Sequence, residues 1–415
     1  MNSRTGIRSL LLLLAAALVC GTGVLRAQTD PLAWLDEKLF YQTDDGHLTA
    51  DFSGLVDLEG YVYEGQPPGL LFEQDDFINP RLSLFADVEI GSSIYIFVQA
   101  RQDRGFDPGA AVNDFRFDEY FLRYSPELRH PVSLQFGKSA TIFGNWQQRH
   151  FTWDNPFINA PLVYENVTTI TDHLGPGAPG GFLGRLNVAD NKGGWVPVMW
   201  GPAYTSGGTV FGGIGKLNYA ASIKNNSISS RPKYWDAVNQ DWSYPTYTTR
   251  IGYTPNAAWD FGNSFSYGAY LVDGAELRAT FPAGYDRGSF NQITLGWDLS
   301  YAKRHWEFWS EVILSRFQVP NVGNADSLSY YFETRYKFSP KLFAGLRWNH
   351  QLFDSVPDGA GGDRHWDRNI WRIDTSLGYR FTRNAQAKVQ YSLNQESNNS
   401  RQADQLLAGQ VTLKF

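Results

Sequence analysis

Between residues 48 and 415 the chain repeats one pattern: stretches of about a dozen residues in which apolar and polar side chains alternate. A period of two puts successive side chains on opposite faces, so each stretch reads as a strand with one apolar and one polar face. Sixteen such stretches are cut at 48–62, 79–91, 93–103, 115–125, 131–139, 206–214, 216–224, 246–254, 260–272, 289–302, 304–317, 327–338, 341–352, 369–381, 384–396 and 404–415. Their connections alternate in length. Ser92, 126–130, Gly215, 255–259, Lys303, 339–340 and 382–383 are short; 63–78, 104–114, 140–205, 225–245, 273–288, 318–326, 353–368 and 397–403 are longer. A sandwich or propeller has no reason to keep that parity, and no fixed-period repeat of the propeller type occurs. A cylinder of antiparallel strands crossing a membrane does, with turns on one side and loops on the other. The fold class predicted is all-β, a transmembrane antiparallel β-barrel of about 16 strands.

Charge follows the same phase. In 93–103, Ile94, Ile96, Val98 and Ala100 would face lipid and Tyr95, Phe97, Gln99, Arg101 and Asp103 the lumen. In 289–302, Ile293, Leu295, Trp297, Leu299 and Tyr301 point out while Gln292, Thr294, Asp298 and Ser300 point in. In 369–381 the outward set is Trp371, Ile373, Leu377, Tyr379 and Phe381, and the inward set Arg372, Asp374, Ser376 and Arg380. A charge on the lipid face at mid-bilayer costs about 2–4 kcal/mol, so this segregation is expected of a lipid-facing cylinder. Ser310 and Arg316 break the rule on 304–317. Aromatic residues make up 15% of the chain and there are 40 glycines, which suits such strands; most Trp and Tyr are expected at the membrane interfaces.

Residues 1–27 read as a secretory signal peptide: Arg4 and Arg8, an apolar core from Leu10 to Cys20, and a cleavage site after Ala27. The competing reading is a lipoprotein modified at Cys20, which the bulky Val19 before it disfavours. Cleavage removes Arg4, Arg8 and Arg26, leaving 33 basic against 42 acidic residues, a net −9, and no cysteine. A basic nucleic-acid surface and thiol chemistry are therefore not indicated. Beyond the signal no apolar run is long enough for a transmembrane helix. Residues 28–47 are a periplasmic or lumenal segment in which 31–40 could form a short amphipathic helix, and 48–415 are the barrel.

The final strand carries Leu407, Gly409, Val411, Leu413 and the terminal Phe415 on one face. Such an ending resembles the closing strand of bacterial outer-membrane β-barrels. The third long loop, 140–205, is too long for a structureless connection and is expected to pack inside the barrel. The stretch Phe136-Gly137-Lys138 leading to Phe143-Gly144-Asn145-Trp146, Arg149-His150-Phe151, Asn155-Pro156-Phe157 and Ala160-Pro161 resembles the strand-to-loop passage of porins, including the phosphate-selective porin O/P-like family. That family's lumenal lysine cluster is missing here. The resemblance implies an outer-membrane porin with an inward-folded third loop, working as a homotrimer among outer-membrane lipid and lipopolysaccharide.

Candidate constriction residues follow from inward phase and loop position: Arg81, Arg101, Arg123, Arg149 and Arg347, with Asp154 and Glu165 as the opposing loop carboxylates. Wall arginines facing loop acids would set up a transverse field that orients polar solutes; cross-strand ion pairs that stiffen the lumen read the same residues structurally. Trp146, Trp153, Tyr95 and Trp309 could stack against sugar rings. The glycine-rich 175–181 and 193–194 lack the strand–turn–helix setting of a phosphate cradle. No Ser stands two residues after any His, as a barrel phospholipase would place it. His365-Trp366-Asp367 supplies a His-Asp pair without further catalytic partners, and His150 with Glu165 or Asp172 lacks metal-ligand spacing. No cofactor or metal is expected. The function implied is passive diffusion of small hydrophilic solutes or ions through a loop-narrowed bore; a cell-surface barrel hydrolase and a non-conducting anchoring barrel are the alternatives.

Overall fold

The structure, a computed structural model, describes residues 35, 38–71, 76–103, 114–126, 132–239, 242–275, 281–397 and 404–415. The expected signal peptide at 1–27 and residues 31–34, 36 and 37 of the expected helix lie outside the described residues, and Phe40, at the end of that stretch, begins a strand. Sixteen antiparallel strands form the wall: β1 (Leu48–Tyr63), β2 (Phe77–Ile90), β3 (Ile94–Asp103), β4 (Asp114–Tyr124), β5 (Ser133–Ser139), β6 (Thr205–Ile214), β7 (Leu217–Lys224), β8 (Thr246–Asn256), β9 (Trp259–Ala269), β10 (Asn291–Lys303), β11 (Trp306–Val319), β12 (Gly323–Lys337), β13 (Leu342–Phe353), β14 (Ile370–Arg380), β15 (Ala385–Glu396) and β16 (Gln405–Lys414). Each pairs with its neighbour in sequence, and β1 pairs with β16 from Leu55↔Lys414 to Tyr63↔Leu406, which closes the cylinder. Among the described residues no helix is long and apolar enough to cross a membrane.

The first and last strands of the wall are joined at one further point of the seam. The Gly54 N–H donates to the Phe415 carbonyl at 2.8 Å and the Phe415 N–H to the Gly54 carbonyl at 3.0 Å. The Phe415 ring lies on Gly54, where an added Cβ would sit 2.4 Å from it. Beyond Phe415 a three-residue strand, Phe40–Gln42, continues the row by pairing with 49–51 of β1, so the foot of β1 is not left as an open edge.

The alternating faces behave as the sequence implies. Leu295, Trp297, Leu346, Phe332 and Leu413 are exposed on the outside, whereas Thr294, Asp298, Asp374, Gln410 and Thr412 are buried on the inside. Exposed apolar residues all round a closed cylinder form a lipid-facing belt, the arrangement with which a β-barrel crosses the outer membrane. At the short-turn end Trp259, Tyr301, Trp306, Phe308 and Tyr336 stack on one another, for example Trp259 on Tyr301 at 4.5 Å, as an interfacial girdle. The two outward exceptions are accommodated. Arg316 forms a two-point pair with Asp326 on β12, both contacts at 2.7 Å, and the Ser310 hydroxyl donates to the Tyr331 carbonyl at 2.9 Å.

Two features differ from the expected layout. The connection expected at 318–326 is only 320–322, because β11 and β12 run on to Val319 and from Gly323. A bulge between β3 and β4 pairs Gln99 with Glu119 and Ala100 with Phe117, leaving Asp118 as the extra residue. It reverses the phase of β4: Arg116 and Asp118 turn inward while Phe115 and Phe117 are exposed outside.

The seam generates a prediction. Gly54→Leu would collide with Phe415 and prevent closure. The heat-modifiable folded band of the refolded or membrane-inserted protein should disappear, whereas Gly181→Ala, where an added Cβ meets nothing within 4 Å, should leave it unchanged.

Candidate constriction of the lumen

The connection between β5 and β6, residues 140–204, lies against the lumenal face of the wall and is gripped there by side chains from distant strands. Sockets come first. Gly296 and Gly345 on the lumenal face leave room for loop rings: an added Cβ would stand 2.6 Å from Phe143 at the former and 2.9 Å from Phe157 at the latter. Gly144 follows Phe143 at φ +72°, a left-handed turn that glycine adopts without strain, and packs against the Glu311 carboxylate. That carboxylate accepts the backbone N–H groups of Asn145 and Trp146, at 2.6 and 3.1 Å, and the Tyr164 hydroxyl. Lys388 on β15 donates to three loop carbonyls, Thr152 at 2.7 Å, Asn155 at 2.9 Å and Phe157 at 3.1 Å. The apolar side of the loop forms its own core around Phe143, Trp146, Tyr164, Trp200 and Tyr204.

A chain of charges fastens the middle of the loop. Arg347 is fully buried; it reaches Asp374 at 2.8 Å, Glu333 at 3.3 Å and the Asn159 side chain at 2.6 Å, with its guanidinium 4.3 Å from the Phe157 ring. Arg372 bridges Asp374, at 3.1 Å, and Glu165. Arg149 of the loop pairs with Glu333, donates to the Tyr331 hydroxyl at 3.2 Å, and lies 4.5 Å over Trp309. Each of these charges has an opposite partner and further hydrogen bonds, the condition under which burial is tolerated.

The candidates fall into groups that differ from the expected pairing. Arg81 and Arg101 form a second cluster with Arg116: Arg81 meets Glu59 at 3.0 Å and Asp103 at 3.4 Å, Arg101 meets Asp103 at 2.7 Å, and Arg116 meets Asp103 and Asp118, each at 2.8 Å. Glu165 faces Arg372 rather than Arg101 or Arg123. Asp154 is exposed and meets the wall through its carbonyl, which accepts from Arg335 at 3.2 Å. Arg123 stands apart, hydrogen-bonded to Gln135 at 2.9 and 3.2 Å. Trp146 is buried against Tyr164 at 4.6 Å, and Trp153 is covered by Arg380 and Lys414, so neither presents a free ring; Tyr95 lies on an open stretch of lumen. Lys388, Arg116, Asp118 and the glycine sockets are the residues that sequence reasoning passed over; Glu311 is inside, as its phase on 304–317 requires.

The loop histidine is a structural group. His150 donates through Nδ1 to the Gln147 carbonyl and accepts the Tyr204 hydroxyl on Nε2, and burial pushes its pKa down to about 4. Asp172 and Glu165 are engaged by Arg231 and Arg372 rather than by His150. His365 binds the Phe353 carbonyl at 2.7 Å, while Asp367 accepts the Thr169 N–H at 2.7 Å, so the two do not pair.

No protein-family model matches the chain, and no curated protein matches its sequence. Solved structures do match its fold. OmpF of Salmonella typhi, in complex with daunomycin, superposes with a TM-score of 0.55 at 11% identity, covering 90% of this chain and 100% of that one. The anion-selective porin of Comamonas acidovorans gives 0.53 at 10% identity over 88% and 99%. The outer-membrane channel DcaP of Acinetobacter baumannii gives 0.53 at 9% over 90% and 99%. The fold is that of a bacterial porin. In this porin fold the third long connection is the one that lies against the lumenal wall.

Two predictions follow from the grip on the loop. Arg347→Met leaves Glu333 and Asp374 with a missing partner in a dry site and should cost ~3 kcal/mol in urea unfolding from lipid vesicles. Because His150 is neutral when buried, the unfolded chain binds its proton first. Stability should therefore fall as pH drops from about 6.5 to about 4 and show no further loss from this group below that. His150→Gln should flatten that part of the unfolding midpoint-versus-pH curve relative to wild type.

Proposed function

We propose that the chain is an outer-membrane channel through which small hydrophilic solutes or ions diffuse passively, narrowed by residues 140–204. The observation that carries this reading is the lumen itself. A closed barrel with a polar, heavily charged inner face holds a loop fixed by wall side chains on β10 to β15, and beside that loop an open cavity of about 470 Å³ lies along β3 to β8. Solutes would pass on that side, where Arg123, Glu119, Gln135, Asn218 and Arg250 line the space. The Arg81–Arg101–Arg116 cluster and the Arg149, Arg347 and Arg372 network would set the field across the bore. Asp154 and Glu165 contribute from the loop.

Phosphate selectivity is not part of this reading. The buried lysines Lys138, Lys192, Lys224 and Lys388 are all engaged by carbonyl, hydroxyl or carboxylate oxygens, which leaves no ladder of buried lysines free to meet phosphate among the described residues. The porin resemblance carries the further reading of a homotrimer embedded in outer-membrane lipid and lipopolysaccharide.

Purified protein in planar lipid bilayers should insert as stepwise ohmic conductances. Deleting residues 145–165 should raise the unit conductance. A folded barrel that stays silent would overturn the channel reading, and an unchanged conductance after the deletion would overturn the role of the loop.

A further inference from the structure

One patch of the lumen has a chemistry unlike the rest. Tyr95 and Phe97 on β3, Phe121 and Arg123 on β4 and Phe211 on β6 meet beside the cavity of about 470 Å³. The rings touch: Tyr95 and Phe97 stack at 6.4 Å with planes 18° apart, and Phe121 lies 5.4 Å from Phe97 and 6.0 Å from Tyr95. All are partly exposed. The inward face of a water-filled barrel is expected to be polar. Apolar ring surface left in water costs roughly 25 cal/mol per Å² until something covers it.

Arg123 sits among these rings, its guanidinium carbon 5.2 Å from Tyr95, 5.4 Å from Phe121 and 5.0 Å from Phe211. Its Nε and Nη2 bond Gln135, and Nη1 makes no hydrogen bond among the described residues. The arginines of the two charge clusters each pair with at least one carboxylate; Arg123 pairs with none of the described ones. Glu119 lines the same cavity but is buried and accepts the Ala140 N–H at 2.7 Å. Arg250 also lines it, and is held by Asp298 at 2.6 Å and Asp260 at 3.3 Å.

We infer that this patch is a solute subsite for an aromatic carboxylate, an anion of the benzoate type. The carboxylate takes the open edge of the planar Arg123 guanidinium, and the ring of the solute lies on the Tyr95–Phe97–Phe121 shelf. A cation with no ion pair among the described residues favours an anion over a neutral sugar. The exposed rings favour an aromatic anion over phosphate or acetate, which would leave them bare. The cavity volume lies within the range of small-molecule sites. Tyr95, Arg123 and Phe211 stand near the short turns of their strands, so the subsite opens on the end of the bore opposite the long loops.

The inference deepens the channel reading, and its test separates the two. Benzoate is titrated into the folded, detergent-solubilised wild-type protein by calorimetry, and added to the bath during bilayer recording. Saturable binding is expected, with transient current blocks, weaker binding of benzyl alcohol, and none of acetate or phosphate. Arg123→Gln should weaken benzoate binding about tenfold, the loss of a charge-assisted pair. Phe121→Leu, which keeps the cation and an apolar side chain, should weaken it less but measurably. Folding of each variant is checked by heat-modifiability on gels. Absence of benzoate binding, equal binding of acetate, or an unchanged affinity in a folded Arg123→Gln protein would overturn the subsite. A silent barrel that still binds benzoate would overturn the channel and leave the subsite standing; conductance without benzoate binding would do the reverse.

Discussion

A chain that crosses hydrocarbon on strands must leave no backbone N–H or C=O without a partner, and only a closed ring of strands meets that demand. Everything else in this protein depends on that closure. It fixes β1 against β16 and brings the terminal Phe415 onto Gly54. It also separates two solvents: outside the ring a charge is admitted only when paired, as Arg316 is with Asp326, and inside it charge is abundant.

The inside then solves a second problem. A connection of 65 residues inside a membrane cylinder has no bulk core to fold against. The wall supplies one, through glycine sockets for Phe143 and Phe157, a lysine that collects carbonyls, and carboxylates that collect N–H groups. Most of these anchors lie on β10 to β15. The opposite side, β3 to β8, therefore keeps the open space, and the lumenal aromatics with Arg123 face it. Where the loop is tied and where open space remains are two aspects of one asymmetry.

The division between legible and illegible features follows range. Strand faces were legible because a period of two is local; residues such as Thr294, Asp298, Arg372 and Asp374 are inside as their phase requires. The bulge at Asp118 defeats that logic. One extra residue reverses the phase of half of β4, so Arg116 and Asp118 read as outward in a single register and stand in the lumenal cluster instead. The pairing of Glu165 with Arg372, 207 residues apart, and of Arg149 with Glu333, 184 apart, has no local signature at all. Phase places a charge inside the ring but says nothing about which charge it will face.

By itself the sequence determined a cylinder: sixteen alternating strands, the parity of their connections, a lipid-facing exterior and a third connection too long to stand alone. Those properties reside in neighbouring residues and survive any choice of register. Tertiary structure decided what the cylinder holds. The path of residues 140–204, the exposed position of Asp154, the burial of Trp146 and the absence of an ion pair to Arg123 among the described residues depend on distances across the bore. Those distances exist only once strand register and bulges have fixed which side chains stand at the same height.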